Sequence, residues 1–288
     1  MIPKSISLTL IGDGNRFSDK IMRKQNEIAV LRASLEAVMR AAGTLARATA
    51  RGPYKRWTKG ADNSPVTEAD IAVNDLLRAR LIELVPDAAW LSEETETLPD
   101  RALPLAWVVD PIDGTRAYIA GRADWTISVA LVENGRPVLA ALYAPVSDEM
   151  FIAAAGAGAA LNGAPIAVSR GATLERARLA GPKRYLDKLA GLDPSILAQP
   201  RVHSLALRIA RVAHGELDAA FASPGSQDWD LAAADLLVHE AGGRFTDFAG
   251  EPLRYNALHA GHGALIAAGA GRHGALIDLV RDRRGEFA

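Results

Sequence analysis

The chain contains no cysteine, and its 33 basic and 34 acidic residues leave a formal net charge of −1. Without cysteine there can be no disulfide bond, no zinc–thiolate site and no thiol catalysis. The balanced charge gives no general electrostatic attraction to nucleic acid or to an anionic membrane. The sequence also lacks the ~18 uninterrupted apolar residues that a membrane helix needs. We therefore expect a cytoplasmic protein that meets anionic ligands through local charge or metal ions.

We also expect no secretory signal, because the apolar run at the start of the chain is short and is soon followed by charged residues. Residues 1–16 are predicted to form a loose extension without a catalytic role. The remaining length fits one large domain or two closely packed halves.

The spacing of apolar residues changes along the chain. Residues 17–175 contain two amphipathic helical patterns, near residues 19–50 and 67–85, together with several strand-like runs. The polar residues 55–66 between these helices are predicted to form a loop. Residues 176–288 alternate short strands with helices. The sequence thus predicts an α+β half, which carries most of the candidate metal ligands, packed against an α/β half that completes the site.

The most informative stretch is Trp107-Val-Val-Asp-Pro-Ile-Asp-Gly-Thr115. An apolar strand ends at Asp110, Pro111 is expected to stop further sheet pairing, and Asp113 follows at once. Two carboxylates three residues apart at the end of a strand can bind a hard cation such as Mg²⁺. The final Gly-Thr pair opens a predicted helix, whose first amides can hold an anion. A surface turn is the alternative for this stretch alone.

Four further acidic side chains lie next to the ends of predicted elements. Glu93 and Glu94 follow a short strand, Asp70 begins the second helix, and Asp230 follows Trp229 at the start of a later helix. Each has a structural alternative. Asp230 could be a helix N-cap, Asp70 could be a first-turn acid that favours the helix dipole, and the glutamates could form a solvated turn.

These motifs occur in one order along the chain: Thr67-x-x-Asp70, Glu93-Glu94, Asp110-Pro-Ile-Asp-Gly-Thr115, and Trp229-Asp230 before Glu240-Ala-Gly-Gly243. From about residue 25 to about residue 268, this order resembles the inositol monophosphatase superfamily of Mg²⁺-dependent, lithium-sensitive phosphatases. The resemblance implies an αβαβα layered sandwich. It also implies an enzyme that hydrolyses phosphate monoesters with water activated by metal ions.

The resemblance assigns roles to individual residues. Two Mg²⁺ ions would be bound by carboxylates and one backbone carbonyl: the first by Glu93, Asp110 and Ile112, the second by Asp110, Asp113 and Asp230. The catalytic residues would be Asp70, Glu93 and Thr115, with Asp70 and Thr115 orienting the attacking water beside a weaker third ion. The amides of Gly114 and Thr115 would hold the phosphate. Two ions about 3.5–4 Å apart can activate water and stabilise the leaving oxygen.

Three short motifs resemble the branch of the family that removes the 3′-phosphate from adenosine 3′,5′-bisphosphate: Lys59-Gly-x-Asp-Asn-Ser-Pro-Val-Thr67, Leu91-Ser-Glu-Glu94 and Tyr143-Ala-Pro-Val146. In the inositol phosphatases, a glutamate seven residues before the Trp-Asp aspartate contacts the sugar hydroxyls, whereas this chain has Ser223 there. A bisphosphate needs a second anion site. The candidates are Arg208, where this branch commonly has lysine, and the pair Lys183-Arg184, with solvated surface charge as the alternative.

Other functions stay open at this point. Arg116, directly after the Gly-Thr pair, is shared with histidinol-phosphate phosphatases, and inositol 1-phosphate is another alternative substrate. Some relatives act mainly by binding the transcription machinery, so a non-catalytic binding protein is a third alternative, which the complete set of expected ligands disfavours. We expect a small phosphorylated substrate, no nucleic-acid polymer, no membrane and a homodimer.

Overall fold

The computed structural model describes residues 17–60, 63–94, 104–257 and 261–282, with side chains from residue 28 to residue 281. Within these ranges there are seven helices and fourteen strands. The helices are α1 (Phe17–Ala50), α2 (Glu68–Leu84), α3 (Thr115–Ile119), α4 (Lys183–Leu192), α5 (Leu205–Ala213), α6 (Asp228–Glu240) and α7 (Ala270–Asp282). The predicted extension, residues 1–16, lies outside the described residues.

The strands form two large sheets and one hairpin. The seven-stranded sheet has the order β3 (Ala89–Ser92), β4 (Leu105–Asp113), β5 (Thr126–Glu133), β6 (Arg136–Ala144), β7 (Glu149–Ala154), β8 (Ala159–Leu161), β9 (Ala164–Pro165). The five-stranded sheet has the order β11 (Leu197–Ala198), β10 (Arg178–Ala180), β12 (Ala219–Ala222), β14 (Leu265–Gly269), β13 (Gly243–Asp247). Both sheets are mixed: β3 and β4 are parallel, as are β10 and its two neighbours.

Three apolar cores arrange these elements in five layers. The first core lies between the outer helices α1 and α2 and the seven-stranded sheet. The second joins the other face of that sheet, through α5 and α6, to the five-stranded sheet. The third covers the far face of the five-stranded sheet with α4 and α7. The architecture is therefore the αβαβα sandwich that the sequence predicts. The proposed division near residue 175 stays a prediction.

The predicted loop between α1 and α2 is wrong, because residues 56–59 and 64–67 form two paired strands, called the β1–β2 hairpin below. Strand β1 (Arg56–Lys59) pairs antiparallel with β2 (Ser64–Thr67). The connection turns through Gly60 and Asn63, both of which have positive φ angles. A short hairpin with Gly, Asn and Pro near its turn has little apolar alternation, so its sequence is similar to that of a loop.

The expectation that Pro111 stops sheet pairing is also wrong. Strand β4 continues to Asp113, which pairs with Thr126 of β5. The pairing register shifts between Asp110 and Asp113, and this irregularity accommodates the proline, since a bulge does not need its missing N–H. Both aspartates are thereby fixed to a sheet and not to a flexible turn. None of the helices in the described part of the chain is long and apolar enough to cross a lipid bilayer.

Helix α1 packs closely on the sheet at Gly43. A Cβ atom at this position would overlap the Tyr143 ring of β6 and lie 3.0 Å from Cγ of Pro145. One turn further along α1, Arg47 donates a hydrogen bond to the Pro145 carbonyl, and Tyr118 donates one to the Ala46 carbonyl. Gly43 is therefore required by packing, although glycine disfavours a helix.

We expect Gly43→Ala to lower the free energy of unfolding by about 1–3 kcal/mol, because overpacking outweighs the gain in helix propensity. The matched control is Gly191→Ala in α4, where a new Cβ has no atom within 4 Å. This control should stabilise the protein by up to ~1 kcal/mol. Urea denaturation of both variants measures the difference. Equal stabilisation by the two substitutions would contradict the close contact.

Candidate active site

Three aspartates from two elements meet at the end of the seven-stranded sheet. Carboxylate oxygens of Asp110, Asp113 and Asp230 lie within 4.8 Å of one another. Asp110 and Asp113 belong to the last part of β4, and Asp230 lies in the first turn of α6. The Glu93 carboxyl group, just after β3, is within hydrogen-bonding reach of Asp110. The structure therefore brings together the four acidic residues predicted to bind metal.

Helix N-termini hold two of these carboxylates. Asp113 Oδ2 accepts hydrogen bonds from the Ser204 hydroxyl at 2.6 Å and from the Ala206 amide at 2.7 Å, at the start of α5. Asp230 Oδ2 accepts one at 2.7 Å from the amide of Gln227, the N-cap residue of α6. These bonds all go to Oδ2, so Oδ1 of each carboxylate is the oxygen better placed to serve a ligand.

The alternative role of Asp230 as N-cap residue is not what the structure shows. Gln227 occupies the N-cap position, and Asp230 is three residues further on, where it forms a capping box. Asp70 occupies the same position in α2, where Thr67 is the N-cap residue and donates to Asp70 Oδ2 through its amide at 2.8 Å. Each aspartate thus caps its own helix while its carboxylate reaches the site.

Asp70 and Thr115 are in direct contact. The Thr115 hydroxyl lies 3.2 Å from Asp70 Oδ1 and 3.0 Å from the Ile112 carbonyl oxygen, and both side chains are buried. Burial raises the pKa of Asp70 to about 6, although the hydrogen bonds from Thr67 oppose this shift. Near neutral pH this carboxylate is therefore close to the point at which it exchanges a proton.

The four clustered acids repel one another in a site where Asp110 and Asp113 are buried and Glu93 and Asp230 are partly exposed. Burial is the largest cause that raises the pKa of Asp110, followed by the negative charges of Glu93 and Asp113. Burial also raises the pKa of Glu93, Asp113 and Asp230. Such a cluster needs positive charge. Carboxylate oxygens and a backbone carbonyl are the ligands that Mg²⁺ prefers, so the donor set fits this ion.

Lys59 supplies part of the positive charge. From the end of β1, its ammonium group lies 2.7 Å from Glu94 Oε1 and 3.3 Å from Glu93 Oε1, and it donates to the Glu93 carbonyl at 2.9 Å. The β1–β2 hairpin, for which the sequence predicts a loop, therefore positions the Lys59 ammonium group at the edge of the acidic cluster.

The Gly-Thr pair forms a tight turn beside the acids. Gly114 has φ +93° and is the N-cap residue of α3. A Cβ atom there would lie 3.3 Å from the Ser204 amide nitrogen and 3.4 Å from the Asp124 carbonyl oxygen. Both the left-handed backbone and this close approach favour glycine. The first amides of a helix have no partner inside the helix, so those of Gly114 and Thr115 can hold an anion.

The predicted anion-binding residues differ in their surroundings. Lys183 is exposed and pairs at 2.6 Å with Asp187, one turn along α4, and Arg184 stacks on the Tyr185 ring and donates to its hydroxyl. In contrast, Arg208 lies in α5, and its Nε atom is buried without a hydrogen-bond partner among the described residues. Burial lowers the pKa of Arg208 to about 10, while the Asp113 carboxylate opposes the shift.

Sequence reasoning missed Ser204, which links several parts of the site. Its hydroxyl oxygen caps α5 by accepting from the Leu207 amide at 2.9 Å, donates to Asp113, and contacts the Thr126 hydroxyl at 2.9 Å. A serine before an apolar helical run is a recognisable N-cap signal. Its contact with Asp113, 91 residues away, has no local signal.

We expect Asp110→Asn to raise the melting temperature of the metal-free protein at pH 7.5. Asparagine keeps an acceptor for the Ile112 amide, which bonds Asp110 Oδ1 at 2.9 Å, and removes a repelling charge. Each 1 kcal/mol gained corresponds to roughly 2–4 °C in a protein somewhat smaller than this one. Mg²⁺ should stabilise the wild type far more than the variant. Differential scanning calorimetry with and without Mg²⁺ measures both effects.

The pH dependence supplies a second arm of this test. Because folding raises the pKa of these carboxyl groups, the folded state binds protons more tightly than the unfolded state. The stabilisation that comes from this proton binding is lost as the pH rises through the folded-state pKa, about 6 for Asp70. The advantage of Asp110→Asn should therefore shrink toward pH 5. The control is Asp187→Asn on exposed α4. A variant that melts like the wild type at both pH values would contradict the repulsion.

Comparisons with known proteins cover most of the chain. The sequence profile of the Inositol monophosphatase family matches residues 27–283. An inositol-1-monophosphatase of Bacillus subtilis is 32% identical over 211 residues, 70% of this chain and 79% of that protein. A Nus factor SuhB of Pasteurella multocida is 29% identical over 250 residues, 83% and 91% of the two chains.

Among solved structures, an IMPase of Thermotoga maritima superposes with a TM-score of 0.76 at 27% identity, covering 88% of this chain and 97% of its own. The profile match spans both sheets and every acidic residue of the cluster. The chain therefore belongs to the inositol monophosphatase family of metal-dependent phosphatases.

Proposed function

We propose that this protein is a Mg²⁺-dependent phosphomonoesterase whose substrate carries a second anionic group beside the scissile ester, adenosine 3′,5′-bisphosphate being the first candidate. The metal ligands would be Glu93, Asp110 and the Ile112 carbonyl for one ion, and Asp110, Asp113 and Asp230 for another. Asp70 offers a third, weaker position. Bound Mg²⁺ would neutralise phosphoryl charge and make water a stronger nucleophile near neutral pH.

The residues around the metal ligands would orient the reactants. The Gly114 and Thr115 amides hold the oxygens of the phosphoryl group at the N-terminus of α3. The Thr115 hydroxyl, which contacts Asp70 Oδ1, accepts a hydrogen bond from the attacking water and passes its proton toward that oxygen. The Asp70 carboxylate can accept this proton as a general base.

One observation carries the choice of substrate. Arg208 is a partly buried cation near Asp113, and its Nε atom is buried without a partner in the described part of the chain. A buried guanidinium nitrogen without a hydrogen bond is costly, and a phosphate oxygen is a natural partner for it. Ser223, which carries no charge, occupies the position at which inositol phosphatases have a sugar-binding glutamate. Both features favour an anionic group over a polyol.

Inositol 1-phosphate is the second candidate substrate. It is supported by the names of similar proteins, among them the inositol-1-monophosphatases of Bacillus subtilis and Rhizobium meliloti, the latter 30% identical over 245 residues. The Nus factor names of other relatives support a further role in binding the transcription machinery. Such a role is compatible with catalysis, since the acidic cluster is complete. The homodimer also stays a prediction, which light scattering tests.

We expect purified protein with Mg²⁺ to release phosphate fastest from adenosine 3′,5′-bisphosphate in a panel with inositol 1-phosphate, histidinol phosphate and fructose 1,6-bisphosphate. Lithium should inhibit the release. Asp110→Asn, which removes the proposed shared ligand, should abolish turnover and is the background control. A preference for inositol 1-phosphate would keep the metal site and reject the bisphosphate. No Mg²⁺-dependent release from any ester would reject the catalytic proposal.

Arg208→Gln should raise KM for adenosine 3′,5′-bisphosphate at least tenfold, because a hydrogen bond to a charged group contributes about 1.5–3 kcal/mol. Hydrolysis of an ester with a single phosphate should change much less. The matched control is Arg80→Gln, an exposed arginine on α2. Steady-state kinetics on both substrates separates the two effects. An equal loss on the two substrates would assign Arg208 to the support of Asp113 and not to substrate recognition.

A further inference from the structure

A second buried aspartate lies beside the proposed metal ligand Asp230. Asp228, in the first turn of α6, is fully buried. Its Oδ2 accepts a hydrogen bond from the Asn256 amide at 2.6 Å, and its Oδ1 lies 2.7 Å from His262 Nε2. Asp228 is also one of the negative charges that act on Asp230. A buried carboxylate so near the cluster adds repulsion, and its hydrogen bonds must offset this electrostatic cost.

The partners of Asp228 come from the segment that precedes β14, of which residues 253–257 and 261–264 are described. This segment lies directly against the turn that enters α6. The Gly225 amide donates to the His262 carbonyl at 2.9 Å, and the His262 amide donates to the Ser226 carbonyl at 2.8 Å. The second of these bonds belongs to the isolated antiparallel β-bridge between Gln227 and Gly261. His262 is thus bonded to the turn through its backbone and to α6 through its ring.

The same turn orients the metal-site carboxylate. Gln227 is the N-cap residue of α6, and its amide holds Asp230 Oδ2 at 2.7 Å. Any tilt of the turn relative to α6 would move this amide and rotate the carboxylate with it. The His262–Asp228 contact ties the segment that carries Gly261 to the helix that carries Asp230. It therefore adds a side-chain restraint to the backbone bonds between this segment and the turn.

We propose that the His262–Asp228 pair is a positioning device for the metal site, which holds the Gln227–Asp230 turn in the geometry that lets Asp230 bind Mg²⁺. This inference rests on the proposed function, because it assumes that Asp230 is a metal ligand. Neither residue touches the substrate in this role. Groups that orient metal ligands in this way typically change metal affinity by 10–100-fold when they are removed.

A second histidine–aspartate pair on the same helix provides a matched control. Asp235 lies seven residues after Asp228, ~10 Å further along α6. His239 Nδ1 is 2.7 Å from Asp235 Oδ1, and Asp235 Oδ2 accepts from the Tyr255 hydroxyl at 2.9 Å. Both pairs join a buried aspartate of α6 to a ring, but only the first contacts the turn that holds Asp230. At both positions, loss of the histidine leaves a buried aspartate without this partner, which should destabilise the fold.

The test compares His262→Phe, His262→Gln and His239→Phe. Phenylalanine keeps a ring beside Tyr255, whose centroid lies 5.5 Å from that of His262, but it cannot donate. Glutamine restores a donor near the Nε2 position. Mg²⁺ affinity is measured by isothermal titration calorimetry without substrate, and melting temperature is measured in parallel. If His262→Phe does not fold, His262→Ala takes its place.

We expect His262→Phe to weaken Mg²⁺ binding at least tenfold, His262→Gln to recover most of the affinity, and His239→Phe to bind like the wild type while melting at a lower temperature. Unchanged affinity in His262→Phe, or an equal loss in His239→Phe, would overturn the positioning role. If the wild type itself binds no Mg²⁺, the metal assignment fails first, and the proposed function fails with it.

Discussion

Repulsion among clustered carboxylates is the constraint that the elements around the site must offset. Glu93, Asp110, Asp113 and Asp230 carry like charges within a few ångströms, in a region where burial raises their pKa values. The protein opposes this repulsion with helix N-termini. Asp113 accepts from the first amides of α5, and Asp230 and Asp70 close the capping boxes of α6 and α2. Each helix start contributes partial positive charge where it is needed. The remaining imbalance is what a divalent cation can neutralise.

The layered architecture explains how several helix N-termini can meet at one point. Helices α5 and α6 lie between the two sheets, so each starts near the end of β4 and is held there by apolar contacts on both sides. Helix α2 reaches the same point from the opposite face of the seven-stranded sheet. Because the bulge after Asp110 keeps Asp113 in the sheet, the two aspartates of β4 are as rigid as the strand itself. The cluster is therefore preorganised by packing and not by the ion alone.

The sequence predicted the parts of the site that have local signals. Asp70, Asp110, Asp113 and Asp230 lie at element ends with recognisable cap or turn residues. The structure brings the last three carboxylates together and places Asp70 in contact with Thr115. The sequence did not predict the β1–β2 hairpin, whose few apolar residues do not alternate clearly, or the pairing beyond Pro111. Ser204 and His262 were also missed. Their partners are 91 and 34 residues away, and no periodicity in one sequence encodes such contacts.

The metal ligands have local signals in the sequence, whereas the residues that select the substrate do not. Metal ligands must satisfy a narrow geometry, so their residue types and spacing are strongly constrained and can be recognised in a sequence. Substrate selection needs only a charge or a hydroxyl at the right distance, which many residues on several elements can supply. Arg208 and Lys183 have the same charge in the sequence, yet the first has a buried Nε atom near Asp113 and the second is paired on the exposed face of α4. Only the burial of each side chain distinguishes a candidate ligand from an ordinary surface charge.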